Sequence, residues 1–144
     1  MELKLKRLEH GDGLPLPMYS TVGSAGLDVC AAEPVSVWGS APVTVKTGFA
    51  VEVPKGYELQ VRSKSGLAAK HGVSVLNSPG TIDEDYRGEI LVILSSASPR
   101  VHHIQRGDKI AQLVLAPVTR ASVVEVSSLT DTVRGEGGLG STGR

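Results

Sequence analysis

Aromatic residues are scarce in this sequence: three Tyr, one Phe and one Trp make up 3% of 144 residues. A core for such a chain has to come from Val, Leu, Ile and Ala, a mix that favours strands over helices. Charge of one sign is missing too, because 15 Lys and Arg stand against 15 Asp and Glu. No overall field is left to steer a polyanion such as DNA, so direct nucleic-acid binding is not expected and any phosphate site must be local. Cysteine occurs once, at Cys30, which excludes an internal disulfide and suits a reducing compartment. The N-terminal stretch Met1 to His10 lacks the apolar run of a secretory signal. Nowhere does an apolar run reach the roughly 18–20 residues of a membrane span. These absences predict a soluble, cytoplasmic protein with no membrane partner.

What is present is a series of short period-two alternations: Leu3/Leu5, Val35/Val37, Val43/Val45, Phe49/Val51/Val53, Tyr57/Leu59/Val61, Val73/Val75, Ile90 to Leu94, Ile110 to Leu115 and Val123/Val124/Val126. Each predicts a strand. Turn signals such as Gly39-Ser40, Pro54-Lys55-Gly56 and Ser78-Pro79-Gly80 separate them, a pattern that fits an all-β sandwich or jelly roll. The length leaves room for one domain. One helix is expected, capped by Ser65, running from Gly66 to His71 and ended by Gly72 in the left-handed conformation. From Arg134 onward the chain holds five glycines and a single apolar residue, too little to offset its ordering entropy, so a flexible tail is expected. The division drawn is a β-jelly-roll domain over 1–129 and a tail over 130–144.

Three clusters carry possible chemistry. In Arg62-Ser63-Lys64-Ser65-Gly66-Leu67-Ala68 a hydroxyl and a glycine open a short helix beside a cation, which suits a phosphate; an ordinary capped turn is the alternative. Between Asn77 and Glu89 two strand-forming runs flank Pro79 and Gly80, and four carboxylates crowd into seven positions. That hairpin either presents backbone groups to a flat base or is a solvated loop. The tail, Gly135 to Thr142, has glycine and hydroxyl spacing like a phosphate-cradling loop, but Ser141 stands where a Walker loop needs Lys. His102 and His103 are adjacent and point to opposite faces of a strand, which argues against a metal pair. Cys30 reads as a small buried residue, and Trp38 as a packing residue.

Taken in order, Ala25-Gly26-Leu27-Asp28, Arg62 to Ala68, Gly80 to Gly88, Arg106 to Leu113 and Arg134 to Gly143 resemble the five motifs of the trimeric dUTP nucleotidohydrolases across nearly the whole chain. The resemblance implies a jelly roll of the β-clip type with one short helix and a Gly-rich tail. It implies a homotrimer with shared active sites that hydrolyses dUTP to dUMP and pyrophosphate with Mg²⁺, limiting uracil in DNA and supplying dUMP for thymidylate synthesis. By the same resemblance Asp83 is the general base for a water attacking the α-phosphorus, and Tyr86 lies under the deoxyribose and excludes a 2′-hydroxyl. Asn77 and the backbone around Gly80 and Leu91 bond the uracil edge. Lys64, Ser65, Gly66 and Gln112 hold the phosphates, with the Ser65 hydroxyl near the bridging oxygen that takes up charge. Asp28 reaches Mg²⁺ through its waters. Arg134, Gly138, Leu139, Ser141 and Thr142 close over the nucleotide.

Two positions depart from the family pattern. Lys64 replaces the usual Arg and loses its planar fork, with Arg62 as a candidate substitute; Leu139 replaces an aromatic that stacks on the uracil. Two rival readings follow: a dCTP deaminase on the same fold, and a non-enzymatic nucleotide-binding trimer.

Overall fold

The computed structural model describes residues 1–139. Its strands are β1 (Lys4–Arg7), β2 (Met18–Tyr19), β3 (Leu27–Cys30), β4 (Val35–Val37), β5 (Val43–Glu52), β6 (Tyr57–Ser63), β7 (Val73–Val75), β8 (Gly80–Ile82), β9 (Glu89–Ser96), β10 (His102–Ile104) and β11 (Lys109–Pro117), with one helix, α1 (Ser65–His71), and a single 3₁₀ turn at Glu9–Gly11. Among the described residues the strands form three sheets, ordered β1-β5-β9-β7, β10-β4 and β2-β3-β11-β6-β8. Every pairing is antiparallel. This is the expected jelly roll.

The aliphatic composition explains what the sheets enclose. Val29, Val37, Val45, Leu59, Val61, Val73, Val92, Leu94, Ile104, Ile110 and Leu113 belong to one buried cluster. Each such side chain contributes about 1.5–3 kcal/mol on leaving water, so no aromatic centre is needed. The lone Phe49 packs apart from it with Leu14 and Ala32, beneath the Arg7 guanidinium at 4.8 Å from its ring centre. Cys30 is buried as expected, and burial pushes its thiol pKa up. Trp38 is not the packing residue expected: it is half exposed at the turn after β4.

The two alternations predicted at Val43/Val45 and Phe49 to Val53 are one strand, β5, joined through Thr47 and Gly48. The register against β9 shifts between Lys46 and Ala50, and Gly48 takes φ +77°, a value that favours glycine. Buried Thr47 repairs the ladder there by donating its hydroxyl to the Ile90 carbonyl at 2.7 Å. Gly11 crosses Gly48 so closely that a Cβ on either would overlap the other's backbone.

Two further expectations are corrected. Ser65 does not cap α1: it is the first helical residue, Lys64 occupies the cap position in an extended conformation, and no side chain caps the end. Gly72 does end the helix in the left-handed region, at φ 69°. The strand expected at Val123 to Val126 does not form; the chain is irregular after Pro117. Val123, Val124, Val126, Leu129 and Val133 are all exposed. Strand propensity alone cannot hold a strand that finds no edge to pair with.

Candidate active site

The centre of charge lies where β3, β6 and β11 adjoin. Register sets Asp28 opposite Gln112 and Gln112 opposite Arg62, so the end of β6 delivers Lys64 to the carboxylate on β3. Asp28 is only 5% exposed. Its Oδ1 accepts from Lys64 Nζ at 2.7 Å and more weakly from Gln112 Nε2 at 3.5 Å. Its Oδ2 accepts from Ser20 Oγ at 2.8 Å and pairs with Lys109 Nζ at 2.7 Å. Burial pushes the carboxyl pKa up, but Lys109, Lys64 and Ser20 outweigh it and hold the group far below the usual carboxylate range. The same bond to Asp28 raises the Lys109 pKa.

Beside this clasp α1 begins. The N–H groups of Leu67 and Ala68 return to the Lys64 carbonyl at 3.1 and 3.0 Å, which leaves those of Ser65 and Gly66 without an acceptor inside the helix. Both residues are exposed. Arg62 does not face this cluster: its Nε donates to Gln60 Oε1 at 2.9 Å on the exposed side of β6.

The second group lies along β8 and β9. Thr81, Ile82, Asp83, Tyr86, Glu89 and Leu91 line a groove of about 190 Å³. The Tyr86 N–H closes a turn onto the Asp83 carbonyl at 3.2 Å, and the Tyr86 hydroxyl donates to the Glu89 carbonyl at 2.9 Å. That bond folds the ring over Gly88, where any Cβ would overlap it. Buried Gly80 is hemmed in: Asn77 Nδ2 lies 3.1 Å and Val61 Cβ 3.3 Å from the place its Cβ would take. The four carboxylates of this hairpin divide their work. Glu84 accepts from the Gly56 N–H, Glu89 accepts from the Gly48 N–H at 2.8 Å and meets His10 Nε2 at 2.7 Å, while Asp83 and Asp85 are exposed.

Of the residues expected from the sequence, Asp28, Lys64 and Gln112 meet in the clasp. Asp83, Tyr86 and Leu91 share the groove, with Asn77 and Gly80 side by side. Strand β6 links the two groups, pairing with β11 on one side and β8 on the other, yet the groove is not lined by Asp28, Lys64, Ser65 or Gln112. Arg134, Gly138 and Leu139 join neither group. Arg134 Nε bonds the nearby Gly137 carbonyl at 2.9 Å, and Leu139 is fully exposed. Ser141 and Thr142 lie outside the described residues. Sequence reasoning missed Ser20, Lys109 and Glu89. Lys109 stood within the fourth motif and Glu89 within the acidic hairpin, so the signal was there but unassigned.

Among the described residues no three His, Cys, Asp or Glu are placed to hold a metal, and both Asp28 oxygens already have ammonium partners. A hydrated Mg²⁺ carried by phosphate oxygens would need no direct protein ligand. Among the described residues no helix is long and apolar enough to cross a membrane.

Fold and site define an all-β jelly-roll protein with a cationic clasp beside a helix start, joined by one strand to an acid- and tyrosine-lined groove. The chain belongs to the dUTPase family, whose model matches residues 12–143. It is 53% identical over 143 residues to the deoxyuridine 5′-triphosphate nucleotidohydrolase of Zymomonas mobilis, covering 99% of this chain and 98% of the relative. To the Anaplasma marginale protein of the same name it is 55% identical, covering 99% of each. Among solved structures, the Staphylococcus bacteriophage 80alpha dUTPase with dUpNHpp superposes with a TM-score of 0.83 at 25% identity, covering 99% of each chain.

Proposed function

We propose that this chain hydrolyses dUTP to dUMP and pyrophosphate, and that its role is to limit uracil in DNA and supply dUMP for thymidylate synthesis. The observation that carries the reading is the groove: an exposed acid, Asp83, three residues before a tyrosine whose ring is locked over Gly88. Asp83 accepts a proton from the water that attacks the α-phosphorus. Tyr86 fills the space a 2′-hydroxyl needs, which discriminates against UTP. Asn77, with the backbone near Gly80 and Leu91, pairs with the uracil edge, and a base that leaves these groups unpaired is rejected.

At the clasp, Lys64, Gln112 and the free N–H groups of Ser65 and Gly66 hold the phosphate chain, and the Ser65 hydroxyl donates to the bridging oxygen as charge develops there. Asp28 would hold a hydrated Mg²⁺ through water on the site that Lys64 gives up, and the ion would neutralise phosphate charge there. The groove of one protomer is not lined by the clasp residues, which supports a working site assembled in a homotrimer from more than one copy. The exposed valines after Pro117 support this, since a segment with strand-forming residues and no partner within its own subunit pairs with a neighbour. The tail over 130–144, with Arg134, Gly138, Leu139, Ser141 and Thr142, closes over the nucleotide and excludes water. The single buried thiol of Cys30 suits a reducing, cytoplasmic location.

The test is a substrate panel of dUTP, dCTP, dTTP and UTP with and without Mg²⁺. Pyrophosphate is expected from dUTP only. Ammonia from dCTP indicates a deaminase instead, and tight dUTP binding without turnover indicates a nucleotide-binding partner protein.

A further inference from the structure

Asp28 is one negative charge held by two positive ones. A carboxylate offers about four lone-pair sites, and here Lys64, Gln112, Ser20 and Lys109 take all of them. The cluster therefore carries a surplus positive charge, and the question is which lysine is free to move. Lys64 sits at the start of α1, next to Ser65, with a side chain 27% exposed. Lys109 stands at the first position of β11, opposite Cys30, and its side chain is 50% exposed with its ammonium anchored on Asp28. Only Lys64 borders the helix start.

We propose that Lys109 is a positioning residue for the reaction: it keeps the buried Asp28 carboxylate compensated, so that Lys64 can leave Asp28 and turn its ammonium to the nucleotide's phosphates. The inference rests on the proposed dUTP hydrolysis and adds a device to it. With Lys109 gone, Lys64 is the sole cation facing a nearly buried carboxylate. Its departure then strands that charge, which a low-dielectric surrounding penalises heavily. Lys64 stays where it is, and the phosphates lose a partner. Lys109 thus acts on substrate binding without touching substrate. The departure from the family pattern at position 64 makes the device more necessary, because an ammonium is a point charge that serves one partner well, whereas a guanidinium fork can bond Asp28 and a phosphate together.

The experiment is a double-mutant cycle on the full-length protein, with KM and kcat for dUTP measured for wild type, K109M, D28N and D28N/K109M, and with K109R as the conservative control. K109M is expected to raise KM about tenfold, one decade in affinity, with kcat changed far less, and K109R is expected to restore KM. On the D28N background, where no carboxylate charge remains to compensate, adding K109M is expected to leave KM unchanged. A structural role gives a different pattern: K109M lowers kcat and KM effects add across the two backgrounds. Additive effects, or a K109M enzyme with wild-type KM, overturn the proposal. Melting temperatures accompany each variant, and if K109M is unfolded, K109Q, which is neutral and keeps a hydrogen-bond donor on a shorter stem, replaces it in the cycle. A wild-type protein that releases no pyrophosphate from dUTP overturns the underlying reading instead. In that case the cycle is run on equilibrium binding of dUTP, where the same non-additivity is required.

Discussion

Asp28 and Asp83 are both acids on strand ends of one sheet system, and they have opposite surroundings. Asp28 is buried, fully bonded and flanked by two ammonium groups; Asp83 is exposed at the lip of a groove. A carboxylate with every lone pair occupied cannot take a proton from water without dismantling its neighbourhood. One with open lone pairs can. The difference separates an acid that organises charge from an acid that handles a proton, a distinction that residue type alone does not make.

The comparison breaks most sharply at Asp83. D83N is expected to lower kcat by roughly 10²–10⁴, the range for a lost general base, with the melting temperature unchanged; steady-state kinetics beside thermal melts check this. D28A should do the reverse in stability, costing about 3 kcal/mol, the low end for breaking a buried pair because Lys109 retains access to water. Urea titration measures it. The pH dependence sharpens the contrast. The folded Asp28 pKa lies below its unfolded value, so its stabilisation is complete above about pH 4 and is lost as pH falls through the folded value. Wild type and D28N are therefore expected to converge in unfolding free energy as acid is added, and to stay apart at neutral pH. The smallest effect is expected far from both acids: L139F should tighten dUTP binding severalfold, since a ring stacks on a base where Leu only covers it, at about 1–3 kcal/mol per stacked base at most. Calorimetric titration with dUTP checks it.

Strands whose outer face stays polar were legible in the sequence, because alternation reports one-sided burial. The strand around Tyr57 to Val61 formed where expected; Ile90 to Leu94 also formed, as a run that is apolar on both faces. Strand β3 was not legible, since Leu27-Asp28-Val29-Cys30 buries an acid among apolar residues and alternates nothing. Strand β8 opens on Gly80 and exists because β6 offers it an edge. At Val123 to Val126 the failure ran the other way, with strand-like residues left exposed. Of the clasp, Asp28, Lys64 and Gln112 were named by motif, but Ser20, Lys109 and the arrangement were not: only tertiary register brings Lys109, Lys64 and Ser20 to one carboxylate. Sequence gave the parts of the groove more fully, because Asp83, Tyr86 and Gly88 lie within a few residues and a single turn assembles them.

The contact between Gly11 and Gly48 has a consequence for how this chain can vary. Two peptide planes from distant stretches touch with nothing between them, and the Leu8 N–H bonds the Gly48 carbonyl at 2.9 Å beside them. Enlarging one partner cannot be rescued by shrinking the other, because neither has anything left to give up. Two positions 37 residues apart (48 minus 11) therefore behave as a single locus that tolerates no stepwise exchange, and the N-terminal arm stays riveted to the sheet only while both remain bare.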